Sequence, residues 1–128
     1  MLKSIGENIK ILENKLIAMR RDLHEIPETG DRLPQTRKYV CNVLDEIGIT
    51  YKLNECDDGL VAEIKGRGDG KTIAFRADMD GLNIIENTGL PYKSKTEGKM
   101  HGCGHDLLMF HLDFSVLKKQ CFHTLFQS

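Results

Sequence analysis

The hydrophobic period changes once along this chain, close to Gly48, and that change limits what the chain can fold into. Before it, Ile5, Ile9, Leu12, Leu16, Met19, Leu23 and Ile26 recur at steps of three and four. That spacing lays one apolar stripe along a helix, and Pro27 ends it. A second helix is predicted from Pro34 to Ile47. Proline suits the first helical position, Val40, Val43, Leu44 and Ile47 form the apolar face, and Gly48 is placed to cap the end. Beyond Gly48 the pattern shortens. Thr50 to Leu53 reads as a short strand. Leu60 to Lys65 alternates apolar with charged residues after a turn at Asp58-Gly59. Gly66 to Gly70 reads as a flexible turn. Thr72 to Ala77 is apolar without polar alternation, which predicts a central strand. Residues 81–99, with Gly89, Pro91 and Gly98, read as a loop. Helices first and strands after imply an α/β or α+β layer arrangement.

A chain of 128 residues has room for one domain with a modest core. Lys and Arg number 18 against 19 acidic residues. The resulting near-neutral balance argues against a nucleic-acid or polybasic membrane partner. The first ten residues scatter charges and hold no apolar run of signal-peptide type. No apolar run approaches membrane-spanning length. The four cysteines, Cys41, Cys56, Cys103 and Cys121, form no CxxC pair, so a reduced, cytoplasmic protein is the expectation.

The densest chemistry lies at Met100-His101-Gly102-Cys103-Gly104-His105-Asp106. In an extended backbone, residues two apart point to the same side, so His101, Cys103 and His105 are expected to converge. Gly102 and Gly104 leave the backbone bare for a close approach. Thiolate and neutral imidazole suit zinc or another first-row divalent metal. The alternative for Cys103 and His105 is a buried, inert cysteine beside a turn histidine. Asp106 either orients a ligating imidazole or caps a helix that follows. His101 is a ligand, a substrate contact or a solvated histidine, three roles the residues alone do not separate.

Asp78 and Asp80 follow the apolar strand, and sites in open α/β sheets lie at the carboxyl ends of strands. Asp78 either binds metal, holds a ligating histidine in place, or is a plain turn aspartate. Arg76 needs a partner if buried, and Asp78 or Asp80 can supply it. His24-Glu25 is half of a metalloprotease HExxH, but the second histidine falls at Glu28, so that motif is absent. Both residues read as a solvated helix end. Glu13, Lys15 and Glu46 read as surface charges. Glu86 and Glu97 lie in the loop with no motif around them. A catalytic zinc usually takes three protein ligands and a general base. Cys103 and His105 give only two.

Taken together, Arg21 to Glu28, Phe75 to Leu82, Glu86 to Tyr92 and Met100 to Asp106 resemble, in order and spacing, the M20 metallopeptidase family. They look most like its aminoacylase-type amidohydrolases, the branch holding hippurate hydrolase, N-acetyldiaminopimelate deacetylase and indole-acetyl-amino-acid hydrolases. The resemblance covers residues 5–106. It implies an α/β fold, here a partial zinc-peptidase-like catalytic domain with two N-terminal helices, then a mixed sheet, and with the lid domain absent. It implies hydrolysis of small N-acyl amino acids and two divalent metals per intact member, with zinc, manganese, cobalt and nickel used by different members. It makes Cys103 and His105 metal ligands and Asp78 a supporting residue, with His101, Asp80 and Asp106 as second-layer or substrate contacts.

The chain departs from that pattern after Asp106. The family carries a histidine two residues on, where this chain has Leu108. The family's general-base glutamate and remaining histidine ligands belong to positions beyond those matched. Residues 107–128 hold four of the five phenylalanines and no glycine. Phe110, Leu112, Phe114 and Val116 alternate like a strand, whereas Leu117, Cys121, Leu125 and Phe126 are spaced like a helix. The expected division is therefore an M20-type part, 1–106, and an atypical tail, 107–128, read from a shifted frame or a truncated gene. Such a chain is expected to be inactive alone. The rival expectation is a non-enzymatic remnant or small metal-binding module that associates with itself through an exposed sheet edge and the Phe-rich tail.

Overall fold

The structure is a computed structural model and describes residues 5–65, 72–109 and 122–127. Helices α1 (Ile5–Glu25) and α2 (Pro34–Glu46) come first, followed by β1 (Tyr51–Leu53), β2 (Leu60–Ile64), β3 (Ala74–Asp78) and β4 (Phe122–Gln127). The sheet is mixed, in the order β1-β2-β4-β3. β1, β2 and β4 run antiparallel in turn, and β4 lies parallel to β3. This is the α/β arrangement expected from the change of period.

Each helix forms for the reason its spacing gives. On α1, Leu16, Met19 and Leu23 are buried, which is the central part of the stripe. The Ile26 amide closes the last turn on the Leu23 carbonyl at 3.1 Å, and Pro27 stops the ladder. On α2, Val40, Val43 and Leu44 are buried. Its end closes as the glycine predicts. Gly48 sits at φ 72°, its amide reaches Asp45 at 3.1 Å, and the Ile49 amide reaches back to Leu44 at 2.9 Å. Only glycine adopts that left-handed position without strain.

The start of α2 is capped from a distance. Leu33, the residue before the helix, makes no side-chain cap. Instead the buried carboxylate of Glu28 accepts the Thr36 amide at 2.8 Å and the Gln35 amide at 3.2 Å. Asp58 accepts the Leu33 amide and pairs with Arg37 at 2.8 Å. Two carboxylates thus answer the open N–H groups and the positive end of the helix dipole.

Leu23, Leu33, Val40, Leu44, Leu60, Ala62, Ala77, Met79 and Met109 share one core. β2 buries alternate residues, as its apolar/charged alternation requires. β3 corrects an expectation. It lies at one edge of the described sheet, because β4 enters between it and β2. Within β3 only Ala77 is buried, and Ile73 and Phe75 stand 51% and 39% exposed. Leu125 and Phe126, spaced as for a helix, lie in strand β4 instead. The Phe110–Val116 alternation and the Gly66–Gly70 turn fall outside the described residues. Residues 81–99 form a loop pinned at its ends by paired hydrogen bonds of 2.8 and 2.9 Å between Leu82 and Met100.

Candidate metal centre

The strand end, the loop and the glycine-spaced turn meet over the last turns of α1. Met79 is fully buried just past β3, which anchors Asp80 at the sheet's carboxyl end. Gly81 follows because its α-carbon faces backbone. A Cβ there would lie 3.1 Å from the Met100 carbonyl oxygen and 3.0 Å from the Pro27 Cβ. Gly102 is bare for a similar reason. A Cβ would stand 2.9 Å from Ile84 Cδ1, so the close approach there is made by the chain's own loop.

The extended-chain convergence of His101, Cys103 and His105 does not occur. Gly104 takes φ 77°, and residues 105–109 are helical. The turn breaks the two-residue alternation between Cys103 and His105. Cys103 is exposed and its thiol is free. His101 is instead driven inward, 3% exposed, with its ring centroid 6.5 Å from that of His24.

His105 is held in a way that suits a metal ligand. Its Nδ1 stands 2.9 Å from the Asp80 carbonyl oxygen and 3.0 Å from Asp80 Oδ1. An imidazole pinned by Nδ1 to a carbonyl and a carboxylate keeps Nε2 as its metal-binding atom. Asp80, rather than Asp78, makes this contact. The Asp78 carboxylate pairs with Arg76 at 2.8 Å on an exposed stretch of β3.

His101 carries two buried ring nitrogens, neither of which meets hydrogen-bond geometry with a partner. Burial pushes its pKa below the ordinary histidine value. The Asp106 charge opposes that shift, the His24 and His105 rings reinforce it, and the nearby Asp80 carbonyl opposes it. A neutral, unpartnered imidazole in this position is a donor set in waiting.

Asp106 is fully buried. Its Oδ1 accepts the Leu107 amide at 3.0 Å, so it does meet the helix that follows. Its Oδ2 takes His24 Nδ1 at 2.7 Å and stands 3.0 Å from Arg20 Nε, an ion pair off the hydrogen-bond line. The imidazole that Asp106 orients is thus His24, not His105.

His24 overturns the solvated-end reading, being 2% exposed. Its Nε2 reaches Glu86 Oε1 at 3.2 Å, and Tyr92 packs edge-on at 5.9 Å. One carboxylate thus stands at each ring nitrogen of His24. Glu86 is equally built in. It accepts the Ser94 amide at 2.7 Å and the Thr88 hydroxyl at 2.5 Å. Burial alone would raise the Glu86 pKa, but the Ser94 amide, the Thr88 hydroxyl and His24 outweigh it and hold the carboxyl below its usual range. Glu25 pairs with Lys95, while Lys15 and Glu46 pair on the surface at 3.2 Å. Sequence reasoning missed His24 and Glu86 as site residues. The available signal was the i, i+4 pair Arg20 and His24, lying beside the apolar stripe where solvent-facing charges do not belong.

The donors present fit a divalent cation in kind. Cys103 offers an exposed thiol outside any disulfide, and His105 offers an oriented imidazole with an open Nε2. In number they stop short. Among the described residues, no three His, Cys, Asp or Glu side chains stand close enough to hold one ion. Leu108, where the family pattern has histidine, is 47% exposed and brings no ligating atom.

Residues 74–112 match the model for peptidase family M20/M25/M40. An N-acetyldiaminopimelate deacetylase of Listeria innocua is 44% identical over 97 residues, 75% of this chain and 26% of that protein. An N-acetylcysteine deacetylase of Bacillus subtilis is 48% identical over 98 residues, 76% of this chain and 26% of its own length. A solved Bacillus subtilis protein, described as a dinuclear metal-binding peptidase from the M20 family, superposes with a TM-score of 0.85 at 39% identity. The overlay covers 91% of this chain and 35% of that one. The chain therefore spans about a quarter to just over a third of the length of these relatives.

Proposed function

Because this chain belongs, over the residues it shares with those relatives, to peptidase family M20, we propose that it is the N-terminal part of a metal-dependent amidohydrolase acting on small N-acyl amino acids. The observation that carries this is the His105–Asp80 pair at the carboxyl end of β3, with the exposed Cys103 thiol two residues before His105. Cys103 and His105 hold the metal, and Asp80 orients His105. The proposed cation is zinc, manganese, cobalt or nickel; a thiolate–imidazole pair favours zinc, whereas manganese prefers oxygen ligands. When bound, such a cation supplies polarisation of an amide carbonyl and activation of water. Asp106 sets the direction of the turn from behind, and His101 lines the buried side. The proposed cytoplasmic setting rests on the cysteine usage of the sequence, four cysteines with no CxxC pair. Residues 107–128 differ in composition from what precedes them yet supply β4, and reading the coding DNA from the Met100 codon in all three frames tests whether this stretch comes from a shifted frame.

The 128-residue chain alone is expected to lack hydrolytic activity, since two ligands without a general base forfeit proton transfer worth ~10²–10⁴-fold. Calorimetric titration of the purified chain with Co²⁺ tests the ligand pair. Binding that disappears in Cys103→Ser and His105→Ala, and weakens about 10–100-fold in Asp80→Ala, supports it. Binding unchanged in all three, or steady release of acetate from an N-acetyl amino acid by the bare chain, overturns the corresponding claim.

A second reading is favoured by the exposed β3 edge with Ile73 and Phe75 and by exposed Leu107 and Leu108. In it the chain is a non-enzymatic module that associates with itself along that edge. Light scattering after size exclusion checks it. A concentration-dependent dimer that Phe75→Lys abolishes fits, and a monomer at every concentration does not.

A further inference from the structure

We propose that His24 is a positioning residue that couples the 83–99 loop to the Cys103–His105 turn, so that movement of either is transmitted to the other. Its relevance to metal binding rests on the ligand reading above, but the coupling itself does not. The two ring nitrogens of His24 are divided between two segments distant in sequence. Nδ1 is given to Asp106 at 2.7 Å and Nε2 to Glu86 at 3.2 Å. Each carboxylate then organises the backbone of its own segment. Glu86 holds the Ser94 amide at 2.7 Å, and Asp106 shares the Leu107 amide with the Gly104 carbonyl, each at 3.0 Å. α1 adds its own ties to both. The Glu25 carbonyl takes the Lys95 amide at 2.8 Å, and Arg20 stands 3.0 Å from Asp106 while its guanidinium lies 5.3 Å from the centre of the Tyr92 ring.

The geometry is that of a bridge rather than of two independent anchors. Asp106 directly follows His105, so the direction of its carboxylate and the placement of the ligand are set by the same turn. A rigid ring cannot rotate to improve one contact without moving the other. His24 is nearly buried, so no solvent replaces a lost partner. Displacing Glu86 therefore tilts the ring, loosens Asp106 and leaves the Leu107 amide with the Gly104 carbonyl as its remaining backbone acceptor on the far side.

Amide hydrogen exchange on the full chain, followed by NMR, tests this without any metal. Glu86→Gln should speed exchange at Ser94 directly and, across His24, a few-fold at Leu107, whose amide loses one of its two acceptors. Thr36 and Val40, held at the far end of the core, should keep their rates. His24→Gln should speed both sets together, and in that background Glu86→Gln should add nothing at Leu107. Exchange at Leu107 that ignores Glu86→Gln overturns the coupling and leaves His24 as filler. Should His24→Gln fail to fold, Asp106→Asn carries the reverse test, with faster exchange expected at Ser94. A Co²⁺–thiolate absorption band from Cys103, weakened about tenfold by Glu86→Gln, extends the coupling to the ligands. A parent chain without that band counts against the metal reading alone.

Discussion

Glu86 is a loop carboxylate that behaves as a built-in part. Its pKa is held down chiefly by hydrogen bonds that overcome its burial. A carboxyl whose folded pKa is depressed contributes stability that is complete above the ordinary glutamate range and is lost as pH falls through the folded value. The 83–99 loop is therefore expected to hold at neutral pH and loosen in acid, first at the Ser94 amide. Exchange measured from pH 7 down past the ordinary glutamate range checks it, and Glu86→Gln should flatten the profile. Cys103 and His105 could be marked from local spacing, because thiol and imidazole two residues apart carry their chemistry with them. His24 could not. Its partners lie 62 and 82 residues away, and its burial comes from segments that no helical period reports. The same limit explains why Asp80, and not Asp78, meets His105. Two carboxylates two residues apart look alike until the strand end is placed.

Glu28 shows how an element can depend on a residue outside it. Helix α2 lacks its own N-cap, and Glu28 supplies one. Glu28→Ala should cost about 1–2 kcal/mol, read as a lower urea midpoint with unchanged slope, and Glu28→Gln should recover part of it. Both helices and the first two strands followed directly from period and punctuation, since Pro27, Pro34 and Gly48 fix their ends. β3 was found but misplaced. An apolar run reports burial on two faces only when neighbouring strands supply the second, and β4 came between. β4 itself was obscured by a Phe-rich composition that fits either period.

The four strands hold together through one of them. β4 is registered against Leu60–Ile64 on one side and Ala74–Asp78 on the other, whereas β3 has no other strand neighbour among the described residues. Thr124 pairs with Ala62 across one ladder and with Phe75 across the other. Thr124→Pro removes a backbone donor from a central strand and should destabilise the sheet. Circular dichroism should show strand content lost beyond the substituted residue, and β3 amides should lose protection while α2 keeps its own. Loss confined to β4, with β3 intact, would show that the core face alone holds β3.

That arrangement also sets the order of events when the chain folds. The β1–β2 hairpin closes over a few residues and is fast. β3 must wait for a segment more than forty residues downstream to arrive before it has any ladder to join. Such distant pairing raises contact order and slows the final step, during which the apolar flank of β3 lies open to other chains. How well this protein survives at high concentration is thus governed by the arrival of β4 rather than by the strength of its core.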